Sequence, residues 1–577
     1  MVLAIVASVA GAAAMRQAPD QAPPAFRTAT DLVQVDVSVL DGKRVPVKGL
    51  SAANFSVLEN GVARPVEAFT AIDLPDRAVA QGAAWTRDIP RDVATNNAGE
   101  DEGRIIVILM DRTIPMGAPV ATARKIAAAA VEALGPRDLA ALVSTSGGVP
   151  QNLTSDRSRL IRAINQRDWS TDISDEAKAA EAAVGMSSDI FNSLTDGRCL
   201  CGLCVLHTLT NVASALESMP RRQKSLLFIG ASIILQAGPQ DQRVDMGCGQ
   251  RLADAREVMW GALDRSGVRV YSIDPSGLEA TLPLPTMPTI RGARPPDTFG
   301  AAVQDHLNRQ GSLFVLPDRT GGRVITSTNA PESRVTDIMR ESASYYLLGY
   351  RPAEPQVPGQ ARRIEVKVDR RDVSVSARRE YLVPSGSPSA SSTRTVLGSA
   401  ISSALPAAGS RLAMTTSAFA APGSNGGTVA VTLDLSDVVR QMGRAADITK
   451  RVSIAIGAFD PFGRVVTVIE RAVTVPSAAL LPGRALEAVV QLVLPPGDHE
   501  LRAAVTSDAG TRPASVFTHV TVPQFATLPF SLSNIVLAAA SGTVTVSPDS
   551  ALDLLPVVPT TRRNFSRSAN LVAFLRM

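Results

Sequence analysis

Cysteine and histidine are scarce in this chain, four of each among 577 residues. That scarcity excludes a disulfide-built miniature fold and any dense thiolate or imidazole metal array. Aromatic residues make up only 4 % and charged residues 19 %, while hydrophobic residues reach 45 %. A disordered, highly charged chain is thereby excluded. An excess of one charge is also missing: 58 Lys+Arg face 54 Asp+Glu, a net of +4 spread along the chain, so no nucleic-acid partner is expected. No apolar run approaches the ~20 residues of a membrane-crossing helix. What is present is length, enough for roughly four domains at ~150 residues each.

Val2 to Ala14 is a stretch of small and apolar residues closing on Ala12-Ala13-Ala14 before Arg16-Gln17. It has the form of a secretory signal core with a small-residue cleavage site, although the basic residues that usually precede such a core are absent. Residues 1–25 are therefore read as a leader, and the protein as exported: periplasmic, on the outer surface, or extracellular. No transmembrane span is expected beyond that leader. A floppy Ala-rich tail is the alternative. Cys199, Cys201 and Cys204 lie in a Cys-x-Cys-x-x-Cys spacing with His207 close behind, and Cys248 follows. Soft sulfur ligands at that spacing suit zinc. Export favours an oxidising compartment instead, so disulfides stapling a loop are the first expectation for these four cysteines, with zinc or free thiols as alternatives.

The hydrophobic grammar changes along the chain. Val33, Val35, Val37 and Val39 alternate with polar residues, the period of a half-buried strand, and Asp41-Gly42 and Asn60-Gly61 are turn signals. Residues 26–75 are read as an N-terminal β-module and 73–103 as a polar linker. From Arg104 the pattern becomes strand–helix alternation. Ile105 to Met110 is apolar on both faces, as a central parallel strand covered by helices must be. Further buried strands are expected at 139–144, 225–229, 268–273, 322–326 and 345–350, with helices between them and long insertions over 168–204 and 276–310. Repeated units of this kind predict a doubly wound α/β domain spanning 104–352. A charged hairpin over 364–377 is too small to stand alone, so 360–383 is expected to complete the N-terminal module. A Ser/Pro linker (384–396) leads to a β-sandwich (397–525) and a further β segment (526–577), read as truncated.

Asp111 is the most informative residue for chemistry. It follows directly on the first buried strand, and open α/β sheets bind ligands beyond the carboxyl ends of their strands. Asp274 ends another strand on the same edge, either lining that crevice or initiating a turn with Pro275. Enzyme signatures are missing. His499-Glu500 lacks a second histidine four residues on, and neither a Gly-x-Ser-x-Gly elbow nor a Walker loop occurs. Tyr345, Tyr346 and Tyr350 are read as packing anchors between domains. The pairs Arg362-Arg363, Arg370-Arg371 and Arg378-Arg379 are read as a solvated strand edge protected by charge.

Asp111-Arg112-Thr113-Ile114-Pro115 resembles the Asp-x-Ser-x-Ser metal-ion-dependent adhesion site of von Willebrand factor A domains. Asp31 to Val37, Asn54 to Gly61, Val270 to Asp274, Thr320 to Arg323 and Ser344 to Pro352 occur in the order seen in the bacterial VWFA-related family of exported proteins known from acidobacteria. The resemblance covers 26–383 and implies a von Willebrand A-like fold with Asp111 and Thr113 as Mg²⁺ ligands. The match is incomplete. Pro115 offers no side-chain oxygen at the third position, and Gly230-Ala231-Ser232 stands where a distal carboxylate would follow the strand ending at Ile229. A turn capped by the Asp111 carboxylate is the alternative to a metal site.

The function expected from these readings is non-catalytic binding or adhesion. The ligand, a protein or cell-envelope component, would sit at the sheet edge carrying Asp111, Thr113 and Asp274. A structural envelope scaffold without a site is the second expectation, and a hydrolase of unrecognised type the third.

Overall fold

The computed structural model describes residues 32–577 except 74–91, 97–102, 113, 116, 136–137, 146–150, 167–196, 218, 220–222, 236–245, 279–306, 358, 384–392, 404, 408, 422–424, 443–449, 461–464, 482–483, 509–512, 528–529, 540–542, 550–554, 566 and 568–569. The leader expected over 1–25, most of the two long insertions and most of the Ser/Pro linker therefore lie outside the described residues.

The chain opens on β1 (Val33–Asp41), β2 (Phe55–Glu59), β3 (Val62–Arg64) and β4 (Val66–Asp73). Asn60 and Gly61, at φ of 50° and 82°, give the β2–β3 hairpin the doubly positive backbone that matches strand twist. Next comes β5 (Ala94–Thr95), in the stretch read as linker.

The α/β unit follows as β6 (Ile105–Met110), α1 (Ala118–Glu132), β7 (Leu139–Ser144), β8 (Gln151–Thr154), α2 (Arg157–Gln166), α3 (Gly197–Glu217), β9 (Lys224–Ile229), α4 (Met246–Ser266), β10 (Arg269–Ile273), α5 (Val315–Thr320), β11 (Val324–Ile325) and α6 (Glu332–Glu341). The sheet order is β11-β10-β9-β6-β7-β8, parallel throughout except for the reversed edge strand β8. Ile105, Val107 and Leu109 pack with α3 and α4, while Ile106, Ile108 and Met110 pack with α1, α2 and α6. Helices on both faces explain why these strands carry no polar alternation.

Then come β12 (Ser344–Tyr350), β13 (Ala361–Val368), β14 (Val373–Ser376) and β15 (Glu380–Leu382). Two sheets, β14-β1-β12-β4 and β15-β13-β2-β3, share a core of Val35, Val37, Tyr346, Leu348 and Ile364. Two expectations need correction here. The α/β unit does not reach 352, because β12 lies antiparallel between β1 and β4 and sends Tyr346, Leu348 and Tyr350 into the β-module core. Nor do β13 and β14 form a hairpin: β13 pairs with β2 and β15, whereas β14 pairs with β1 in the other sheet.

The C-terminal region begins with a helix, α7 (Thr393–Ser402), rather than a strand. After it come β16 (Ala413–Ala420), β17 (Gly427–Asp434), α8 (Ser436–Gln441), β18 (Arg451–Phe459), β19 (Val465–Thr474), β20 (Ala485–Leu494), β21 (Gly497–Ser507), β22 (Ala514–Val522), β23 (Val536–Ala539), β24 (Thr543–Val546) and β25 (Leu571–Phe574). Sheets β24-β20-β17-β16-β5 and β19-β18-β21-β22 enclose one apolar core, making a β-sandwich. The division expected at 525/526 is corrected by β24, which adds to β20 and so belongs to that sandwich. β23 and β25 pair with each other, and Val536 and Phe574 pack against Phe419, Ala430 and Val489 on the outside of the first sheet.

Buried polar links tie the three units together. Arg269 donates to the Ser38 hydroxyl (2.6 Å) and the Asp36 carbonyl (3.1 Å), and Glu341 receives Arg44 at 2.7 Å and Arg323 at 3.2 Å. These contacts set the β-module against the amino edge of the α/β sheet. Gly321 allows the approach, since a Cβ there (φ +80°) would lie 2.6 Å from the Ala377 carbonyl carbon; within the α/β sheet itself, a Cβ on Gly322 would lie 1.7 Å from the Val270 oxygen. The sandwich is fixed to the β8 side. Leu405 joins the α/β core, Asn152 donates to Glu500 at 2.8 Å, and Asn96 bonds Ala407, Ser410 and Leu412 at 2.8 to 3.0 Å.

Candidate functional site

At the carboxyl edge of the sheet the chain leaves β6 through Asp111. Its N–H still donates to the Ile229 carbonyl at 2.8 Å, so the residue remains in the ladder and is fully buried. Thr145, just past β7, donates its hydroxyl to the Asp111 carboxylate and accepts the Arg112 N–H at 2.9 Å. One hydroxyl thus joins two adjacent strand ends. Gly230, following β9, closes the third side: a Cβ there would stand 2.9 Å from the Asp111 Cβ and 2.7 Å from the Phe228 ring. A carboxylate at that position would require the neighbouring strand end to move.

Asp274 is buried as well. Its N–H continues the ladder to the Ile325 carbonyl (2.9 Å), and its Oδ1 accepts the Ser276 N–H (2.9 Å), closing a turn around Pro275. That is the turn-initiating alternative for this residue. Thr113 lies outside the described residues. Among those described, no three His, Cys, Asp or Glu side chains are grouped as metal ligands would be. Mg²⁺ needs near-octahedral oxygen and surrenders its water reluctantly. A single buried carboxylate already bonded to Thr145, with Pro115 at the third position and Gly230 across from it, does not fit that ion.

Two of the three residues expected at the ligand-binding edge, Asp111 and Asp274, are thus buried, and the third, Thr113, is not among the described residues. Asp111 and Asp274 stabilise strand ends and present no carboxylate to solvent. What the edge does expose is Leu278, 62 % accessible, together with Ser327 and Asn329. The Leu278 N–H donates to the Asn329 Oδ1 (2.9 Å), which joins the loops after β10 and β11. The Ser327-Thr328-Asn329 run after β11 was the available sequence signal for this rim, since polar clusters behind a buried strand mark exposed loops.

The cysteines are on helices, not on a loop: Cys199, Cys201 and Cys204 in α3 and Cys248 in α4. Cys204 is buried, and the side chains of the other three lie outside the described residues. His207 is half-buried on α3, where desolvation holds its imidazole below the ordinary pKa of 6.5. His499 is buried in the sandwich with Nε2 2.8 Å from the Pro495 carbonyl.

The arginine pairs divide in a way their spacing did not show. Arg362 is buried, 3.5 Å from Glu59, and donates to the Ala353 and Pro355 carbonyls. Glu59 also accepts the Tyr381 hydroxyl at 2.7 Å. Arg378 reaches the Asp264 and Gln34 carbonyls, joining α/β unit and β-module. Arg370 and Arg371 are exposed as expected of a charged edge. Sequence reasoning also passed over Lys224, buried at the amino edge, where desolvation pulls its ammonium down from 10.5 to about 8.

No family model and no curated protein matches the chain. Among solved structures it is similar to the pilus adhesin SpaC from Lactobacillus rhamnosus GG in an open conformation, at 8 % identity and a TM-score of 0.22. The similarity covers 91 % of this chain and 61 % of SpaC, less than two thirds of that protein. At that score it carries no argument about function.

Proposed function

We propose that this is an exported, non-catalytic binding protein of adhesion type, whose α/β unit is von Willebrand A-like and recognises a protein or cell-envelope ligand without a metal ion. The observation that carries the reading is where the modules dock. The β-module occupies the amino edge of the sheet and the sandwich docks at edge strand β8, at the opposite end of the sheet order from β10 and β11, whose following loops carry the exposed Leu278, Ser327 and Asn329. Recognition loops held on a rigid scaffold are the usual seat of specificity. The doubly wound sheet supports the likeness to von Willebrand A domains, and the incomplete donor set around Asp111 supports metal independence.

The test is binding of the purified chain to isolated envelope fractions in EDTA, alongside Leu278→Asp. The proposal expects binding that the variant loses while its melting temperature stays unchanged. Equal retention by both proteins, or no binding by either, would favour a structural scaffold.

A further inference from the structure

A second candidate site lies far from the α/β edge, on the outer face of the sheet β24-β20-β17-β16-β5. A cavity of about 250 Å³ opens there between that face and the chain segments carrying Asn534 to Leu537 and Leu555 to Arg563. Its floor is built by register. Thr415 pairs with Thr432 and Ser417 with Ala430, so strand alternation puts three hydroxyl side chains on one face. Ser417 and Thr432 are only 7 % and 3 % exposed, yet none of the three hydroxyls bonds to any described residue. Asn534 accepts the Ala418 N–H through Oδ1 at 3.3 Å, while its Nδ2 donates to no described residue. Val536, Leu537, Leu555 and Pro559 supply the apolar part of the lining.

Charge at the site cancels. Arg563 grips the Asp92 carboxylate at 2.9 and 2.6 Å and spends its remaining nitrogen on the Thr560 and Arg562 carbonyls. The pair sits at the rim with its two charges offsetting each other. Hydroxyls donate and accept equally well, so they match a ligand that does the same. The volume corresponds to about 8 water molecules at ~30 Å³ each, enough for one six-membered ring with its substituents.

We propose that this cavity binds a small, neutral, polyhydroxylated molecule of the size of one pyranose ring, its hydroxyls on Thr415, Ser417, Thr432 and Asn534 and its C–H face on the apolar part of the lining. The lining contains no aromatic ring to stack on the sugar, which puts the affinity on the order of millimolar.

Calorimetric titration of the full chain tests this with glucose, galactose, N-acetylglucosamine and myo-inositol, against maltose, serine and sodium sulfate. Calorimetry is needed because sugars raise melting temperatures of many proteins by exclusion from the surface. At least one of the four single-ring ligands should give saturable heat, weakened about tenfold by Ser417→Ala and likewise by Thr432→Val. If Thr432→Val also lowers the melting temperature of the free protein, Ser417→Ala decides alone. Heats that never saturate mean a cavity holding only water and overturn the proposal. So do unchanged affinities in both variants, or a preference for serine, sulfate or maltose.

Discussion

Lys224 offers the sharpest test of the junction between α/β unit and β-module. The side chain is 9 % exposed, its Nζ donates to the Ser266 carbonyl at the end of α4 (3.2 Å), and the charges that favour its protonated form are Asp36 and Glu217. Those partners recover only part of the hydration the ammonium loses, so its pKa falls from 10.5 to about 8. A lowered lysine pKa means that the folded protein holds the proton less tightly than the unfolded chain. Below pH 8 both states are protonated, and the folded state carries the whole penalty of about 3 kcal/mol. Between pH 8 and 10.5 the unfolded chain binds more protons, so stability rises with pH, and above that window the penalty is gone. Lys224→Met removes the charge and loses one hydrogen bond to a helix-terminal carbonyl. At pH 7 it should stabilise the protein by about 2 kcal/mol. Urea denaturation monitored through buried Trp260 in the same core measures this. As pH rises from 8 past 10.5 the wild type should recover about 3 kcal/mol relative to the variant, so the variant's advantage of about 2 kcal/mol vanishes and turns into a deficit of about 1 kcal/mol. A constant gap across that window would refute the reasoning and place Lys224 in water.

Two further substitutions probe the lead-in of the sandwich and the close packing inside the α/β sheet. Asn96→Ala removes three hydrogen bonds to the lead-in of the sandwich and should cost about 3 kcal/mol, seen as a lower melting temperature. Gly322→Ala would drive a Cβ into the Val270 carbonyl, so a loss of more than about 4 kcal/mol is expected, read as loss of soluble protein.

Much of the strand and helix content was legible because two periodicities are clean. Ile105 to Met110 is apolar at every position and lies between helical layers, and Leu139 to Ser144 coincides with β7. Val33 to Val39 alternates and forms β1. Partner choice was not legible. Ser344 to Tyr350 is apolar on both faces like a central parallel strand, yet it pairs antiparallel with β1 and β4. β5 has two residues and pairs across more than 300 positions, beyond any local pattern. At the site, the position of Asp111 at a strand end could be read directly. Its burial could not, because it depends on Thr145 from the next strand and on the absent side chain of Gly230. Arg362 and Arg378 looked like solvated charge because their partners, Glu59 and the carbonyls of Gln34 and Asp264, are distant in sequence.

Asp111 ties strand ends together, and recognition at that edge is proposed to need no metal. Thermal melting of wild type and Asp111→Asn in millimolar Mg²⁺ and in EDTA tests it most directly. The account predicts that each protein melts at one temperature whether metal or chelator is present, the variant lower in both. A rise with Mg²⁺ in wild type that disappears in Asp111→Asn would contradict it.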